Sequence, residues 1–387
     1  MRKSIYLLVF CAGVIFFSAC SKAGDNDAAK KAVIQDYATL VSDSYQAALA
    51  DAQSLKTAIN NFVANPTQET FDNAKKVWLE ARESYGPTEA YRFAGGPIDI
   101  INGEEGPEGL LNSWPLDENY IDYTTGEGSV GIINDLENFP TINKAALEAV
   151  NTEGGEENVS IGYHAIEFLL WGQDNTAPAT LQAGQRPYTD FVDEGTAPNA
   201  DRRRQYLQIC ADLIIDHLQI LVDQWKEDGS YRKTFLALEP EAALSKMLTA
   251  IATLSKSELA GERMFTPYDN QDQEDEHSCF SDNTHRDIRV NFDGIKHVYL
   301  AINGTNTGNS MSDLVKEADP TVAATVLDQL TATEQAVYAT GIPFDHAIVD
   351  AEERKKVLAA VNALRKLGNQ FAAAGAAIGI EVSTQLK

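Results

Sequence analysis

His164 and Glu167 are the only ionisable residues in an otherwise apolar run over residues 161–171, which also holds Tyr163, Ile166, Phe168, Leu169, Leu170 and Trp171. On a helix, a spacing of three places the imidazole and the carboxylate on one side, one above the other. A helix that is apolar all round is buried. There, each of the two polar groups needs a partner: the other, a third side chain, or a metal ion. If Ser160 caps this helix, His164 stands in its first turn, where the helix dipole disfavours imidazolium and keeps the ring in the neutral form that binds metal. Gly162 in the same turn leaves room for another backbone or a ligand.

A second cluster lies a hundred residues on. Five acids fall between Asp269 and Glu276, followed by His277, Ser278, Cys279, Asp282 and Asn283. Such a run reads first as a solvated loop. Glu274 and His277 nevertheless mirror the spacing of His164 and Glu167, so a helical turn here would offer a second carboxylate and imidazole on one face. Facing pairs of this kind hold iron or manganese in helical bundles. The expected metal ligands are therefore His164, Glu167, Glu274 and His277. Imidazole and carboxylate without thiolate suit iron, manganese or zinc better than copper(I).

The elements that must position these residues are helical. Apolar periodicity runs through Val33 to Phe62 and Phe71 to Tyr85, with Pro66-Thr67 marking a restart. The stripe Tyr206, Cys210, Leu213, Ile214, His217, Leu218, Leu221, Trp225 steps by three or four and stops at Asp228-Gly229. Further helices are expected from Glu241 to Met264, Arg286 to Ile302, Thr321 to Ala339 and Asp350 to Ile378. No alternating run argues for a large sheet. Between Gly95 and Asn158, Gly and Pro punctuate short apolar pieces; with Ile98, Leu111, Trp114 and Ile121 this segment is expected to be an ordered cover.

The fold class is therefore all-α: two packed, four-helix-bundle-like helical bundles with a long irregular segment in the N-terminal half. The expected division is 1–19, a signal peptide; 20–30, a lipidated tether; 31–235, an N-terminal helical domain; and 236–387, a C-terminal bundle.

Arg2 and Lys3, an apolar core from Ile5 to Phe17, and Ser18-Ala19-Cys20 make up an export signal. Cleavage before Cys20 resembles a bacterial lipoprotein, with the lipid on Cys20 and an envelope location, the outer membrane favoured by Ser21. Losing Arg2 and Lys3 with residues 1–19 moves the formal charge from −26 to −28. Nucleic acid is a poor partner for such a chain, whereas cations are concentrated near it. Cys210 and Cys279 are expected to stay unpaired.

At Gly162-x-His164-x-x-Glu167, at residues 259–264 (LAGERM), at residues 274–284 (EDEHSCFSDNT) and at Trp114-Pro115-Leu116, the chain resembles the imelysin-like family, also classed among the peptidases. That resemblance implies an all-helical, two-bundle envelope protein associated with bacterial iron uptake. It places a pocket around His164 and Glu167, near where the domains meet. Carried onto the matching positions, it offers Trp114, Gly162, Arg263, Glu276, Ser278, Asp282 and Asn283 as ligand-binding residues.

The function expected is capture of a metal ion, iron favoured, or of an iron-bearing or anionic ligand, with envelope iron-transport components as partners. Two alternatives stay open. One is a zinc-dependent peptidase, for which the accounting is tight: zinc needs three protein ligands and a separate base, and a ligating Glu167 is not free as that base. The other is recognition of a polysaccharide or a protein through the aromatic residues around Trp114 and Tyr120.

Overall fold

The computed structural model describes residues 19–386, with side chains from Asp27 onward. The expected signal peptide lies, but for Ala19, outside the described residues, as does the Cys20 side chain. The chain is all-α; among the described residues its strands are two hairpins of two residues per strand, Ile100–Ile101 with Glu104–Glu105 and Ile302–Asn303 with Asn306–Thr307.

The helix Ala19–Ala64 packs on Gln68–Tyr85 and on Ala200–Trp225, and the Tyr163–Trp171 helix wedges against the latter two. Thr67 restarts the chain after the first of these. Its hydroxyl accepts the Thr70 N–H while the Thr70 hydroxyl accepts the Thr67 N–H, satisfying two otherwise orphaned donors. All eight residues of the stripe from Tyr206 to Trp225 are buried. The second group comprises Pro240–Thr253 with its continuation Leu254–Phe265, Thr284–Leu300, Pro320–Tyr338 and Glu353–Ala377. Val357, Val361, Leu364, Leu367 and Phe371 form the buried face of the last helix. Among the described residues, no helix is long and apolar enough to cross a membrane.

The two groups meet where Thr284–Leu300 lies along the 3-10 turn Gly86–Tyr91. Glycine makes this approach possible. A Cβ on Gly294 would stand 2.3 Å from the Pro87 carbonyl oxygen, and one on Gly86 would stand 2.1 Å from a Val290 methyl. Buried apolar side chains from Val33 to Ile380 belong to one continuous cluster across this junction.

The segment 95–158 is an ordered cover. Ile98, Leu111, Leu116, Ile121, Ile132, Ile133 and Leu147 are buried in the core. Its irregular backbone is tied down by side chains. The Asp99 carboxylate accepts the N–H groups of Phe93 to Gly96, and the Arg202 guanidinium donates to the carbonyls of Ile132, Ile133 and Phe139. Deeper in, Asp122 accepts from Arg186 (2.6 Å) and Arg203 (2.7 and 2.8 Å). Cys210 and Cys279 are both buried and unpaired among the described residues.

Candidate functional site

Every residue of the Tyr163–Trp171 helix is buried, as the apolar circumference requires. Its start differs from expectation. The N-cap is Gly162, at φ 95° and ψ −173°, while the Ser160 hydroxyl donates to the Leu147 carbonyl 2.7 Å away. The cap position turns against the cover segment: a Cβ on residue 162 would lie 2.7 Å from the Leu111 carbonyl oxygen. Glycine is thus demanded twice, by a left-handed backbone and by a close approach. Trp78 Nε1–H donates to the Tyr163 carbonyl at 3.0 Å and holds this end of the helix in place.

His164 Nδ1 is 2.8 Å from Glu167 Oε2, so the pair is formed as the spacing requires. The other carboxylate oxygen, Oε1, accepts both the N–H (3.0 Å) and the hydroxyl (2.6 Å) of Ser281. Both Glu167 oxygens are thereby engaged. The carboxyl group lies beside His164 Nδ1 and fixes the orientation of the ring. The outward nitrogen, His164 Nε2, is buried without a hydrogen-bond partner.

The two motifs do meet. The His277 ring lies 4.6 Å from that of His164, centroid to centroid, in an edge-to-face arrangement, and Trp114 packs on both rings at 5.1 and 6.4 Å. The expected helical turn joining Glu274 to His277 is absent. A short 3-10 turn, Gln273–Asp275, gives way to extended backbone at Glu276, which swings His277 inward and leaves Glu274 exposed. Glu274 therefore does not join the histidines. Among the described residues, His164, Glu167 and His277 do not converge as three ligands around one point; Asp174, Asp282 and Asp345 do.

Behind His277 stands a charged lattice of which the sequence pointed only to Arg263 and Ser278. Asp287 Oδ2 lies 3.7 Å from His277 Nδ1 and accepts the Ser278 hydroxyl at 2.5 Å, while Oδ1 accepts Arg82 Nε and Nη2 at 3.2 and 3.0 Å. Arg82 Nη1 donates to Asn112 Oδ1 (2.6 Å), and Asn112 Nδ2 is 3.5 Å from His277 Nε2. Glu89 gathers Arg263 (2.6 Å) and Arg92 (2.7 Å). These residues carried a signal: Arg82 and Asp287 each fall among buried positions of a helix, where a charge demands a partner. What the sequence lacked was the pairing, since they are 205 residues apart.

A cleft of about 390 Å³ opens over this lattice, lined by Arg92, Glu108, Asn112, Trp114, Glu258, Glu262, Arg263, Asp275 and His277, among others. Arg92 and Arg263 are committed to Glu89, Glu108 and Glu258, so acid exceeds base at the rim. Of the residues expected to bind ligand, Trp114 and Arg263 line the cleft, and Gly162 does not, packing instead against Leu111. Ser278 anchors to Asp287. Glu276 and Asp282 turn away to the carboxylate group of Asp174 and Asp345, and Asn283 is the buried N-cap of Thr284–Leu300, its Nδ2 without a partner.

Burial governs the titration. It raises the Glu167 carboxyl to about 8 against the Ser281 hydrogen bonds that lower it. Burial, His277 and Arg82 hold His164 well below its usual range, and burial with Arg263 brings His277 down to about 4. Both rings are neutral at pH 7. A carboxyl whose folded pKa is raised keeps its proton in the native state after the unfolded chain has released it. Glu167 therefore favours the fold below about pH 4.5, and this contribution is lost as pH rises through about 8. Glu167→Gln, which imitates the protonated acid, should remove that slope. Urea unfolding from pH 5 to 8.5 should show wild-type stability falling relative to the variant; parallel curves would mean that Glu167 ionises normally.

The comparisons agree with this architecture. A family profile described as Imelysin matches residues 41–371. Iron-regulated protein A of Synechococcus elongatus is 26% identical over 368 residues, covering 92% of this chain and 88% of its own. A crystal structure described as an iron-regulated protein A precursor from Parabacteroides distasonis superposes with a TM-score of 0.70 at 20% identity, covering 91% of this chain and 95% of the other; at that identity the likeness is one of fold. With the profile spanning most of its length and both histidine-bearing motifs, this chain belongs to the imelysin family.

Proposed function

We propose that the protein captures a metal ion, iron favoured and zinc or manganese as competitors, at His164 and His277, as an envelope lipoprotein tethered through Cys20 and associated with iron uptake. The observation that carries this reading is the buried, partnerless Nε2 of His164, on a ring 4.6 Å, centroid to centroid, from that of His277, which lines an acid-rich cleft. Two neutral imidazoles, each with an acidic side chain beside it (Glu167 hydrogen-bonded at 2.8 Å, Asp287 farther off at 3.7 Å), have the form of metal-ligating histidines with outer partners; Glu167 gives up the proton that burial holds on it when His164 Nδ1–H donates to it and Nε2 ligates. With two protein ligands, the remaining coordination positions fall to water or to groups carried in with the metal. The surplus of carboxylates at the rim favours a cation over an anionic ligand. The names of the relatives, which refer to iron regulation, support the choice of iron.

Titration of chelator-stripped protein with Fe(II), Mn(II) and Zn(II) tests the reading. One metal per chain is expected. His164→Ala and His277→Ala should each abolish binding with the helical circular dichroism retained, and Glu167→Gln should weaken it about 10–100-fold. Metal bound equally well by both histidine variants would refute the site. Chelator-sensitive peptide cleavage that disappears in Glu167→Gln would instead favour the peptidase.

A further inference from the structure

The carboxylates that turn away from the histidines gather at a second place. Asp174 follows the Tyr163–Trp171 helix, Asp282 lies just beyond Ser281 at φ 58°, and Asp345 stands in the first turn of Phe344–Val349. One oxygen from each lies within 4.8 Å of the other two. Asp174 and Asp345 are each only 2% exposed. Asp174 Oδ1 accepts the Thr176 N–H at 2.9 Å, but its Oδ2 has no partner, and the Asp345 oxygens have none beyond the N–H of the adjoining His346. Glu276, 0% exposed, has only the Thr284 hydroxyl against it and feels Asp345, Asp282 and Asp174 as its neighbouring charges. On Asp282 the acting charges are Asp345 and Asp174; on Asp345 they are Asp174 and the adjoining His346. Buried carboxylates with free lone pairs pointing at one another are costly unless something positive joins them.

We propose that Asp174, Asp282 and Asp345 bind one divalent cation, calcium in preference to magnesium, with Glu276 as a further carboxylate beside it. The donors are all oxygen, with no imidazole or thiolate, which selects a hard ion and separates this site from the histidine pair. Calcium, with oxygens at about 2.3–2.6 Å, spans donors up to roughly 5 Å apart and so closes on this group with little movement. Magnesium, at about 2.0–2.1 Å, requires a tighter octahedron. The ion joins three segments: the chain leaving the His164 helix, the loop carrying His277 and Ser281, and the short helix Phe344–Val349, which packs on Glu353–Ala377. Bound calcium thus fixes the loop that completes the first site.

Chelator-stripped protein titrated with CaCl2 and MgCl2 by calorimetry, with thermal unfolding alongside, tests the proposal. One calcium per chain, a Tm that climbs with calcium concentration, and magnesium at least about tenfold weaker are expected. Asp345→Asn and the half-buried Asp282→Asn should each weaken calcium binding by tenfold or more, and the second keeps the test open if the first fails to fold. His164→Ala should bind calcium normally. A stripped wild type that gives neither heat nor a Tm shift overturns the site, as does a calcium response unchanged in both Asn variants or lost in His164→Ala.

Discussion

Asp287→Ala is expected to lower the unfolding free energy by about 3–5 kcal/mol, the usual consequence of removing one partner of a buried ion pair. The whole loss comes from what is left behind. Arg82 is 1% exposed, and its Nε and Nη2 both donate to Asp287; without the carboxylate they face apolar surroundings. Burial alone would raise the Asp287 carboxyl, yet the Arg82 guanidinium, His277 and the Ser278 hydroxyl together hold it well below the ordinary carboxylate range, so the pair is ionised at any working pH. The same variant releases Ser278 and His277, so metal binding should fall with stability. Urea unfolding at pH 7 decides the matter: a change of less than about 1 kcal/mol, typical of an exposed pair, would mean that Arg82 finds another acceptor. A double variant, Arg82→Met with Asp287→Leu, should recover much of the stability and none of the metal binding, because well-packed apolar residues replace a buried pair at little cost.

An equally large effect is expected from Asp122→Ala. Asp122 is fully buried in the cover segment and accepts three bonds from Arg186 and Arg203, with Asn134 Nδ2 adding a fourth at 3.1 Å. Removing it strips Arg203, 0% exposed, of its carboxylate and leaves Arg186 only Asp190 at 3.7 Å, and a loss of about 3–5 kcal/mol follows. Arg203 keeps the carbonyls of Asp190 and Pro198, which limit the damage without neutralising the charge. Limited proteolysis offers a sharper reading than the midpoint alone. If Asp122 pins the cover, cleavage should begin within residues 95–158 before the helices unfold; uniform resistance would show that the apolar contacts of Ile121, Ile132 and Ile133 suffice.

Much of this molecule was legible in one dimension. The stripe from Tyr206 to Trp225 and the face from Val357 to Phe371 are buried as their spacing requires, because helical periodicity is a local property. His164 and Glu167 pair for the same reason: three residues on a helix put them in reach wherever the helix goes. The cap at Gly162 was misplaced to Ser160, since the hydroxyl found a distant carbonyl and the glycine was chosen by the approach of Leu111.

The spacing of Glu274 and His277 misled because it was tested against a helix that does not form; the backbone breaks at Glu276, and the two side chains part. The LAGERM motif was expected within an ordinary helix. It lies instead in the wider π turn Leu254–Phe265, from which Arg263 reaches Glu89 across 174 residues.

The sequence by itself therefore determined the helices, their buried faces and the orientation of one imidazole by its own carboxylate. Only the tertiary structure decided which charges face one another. It set Arg82 on Asp287, engaged Glu167 with Ser281, brought His277 to His164, and sent Asp282 to a separate carboxylate group. The reason is physical. Periodicity records the side of a helix that leaves water, whereas the partner of a buried charge is whatever the packing of remote segments brings within about 3 Å, and no local pattern encodes that meeting.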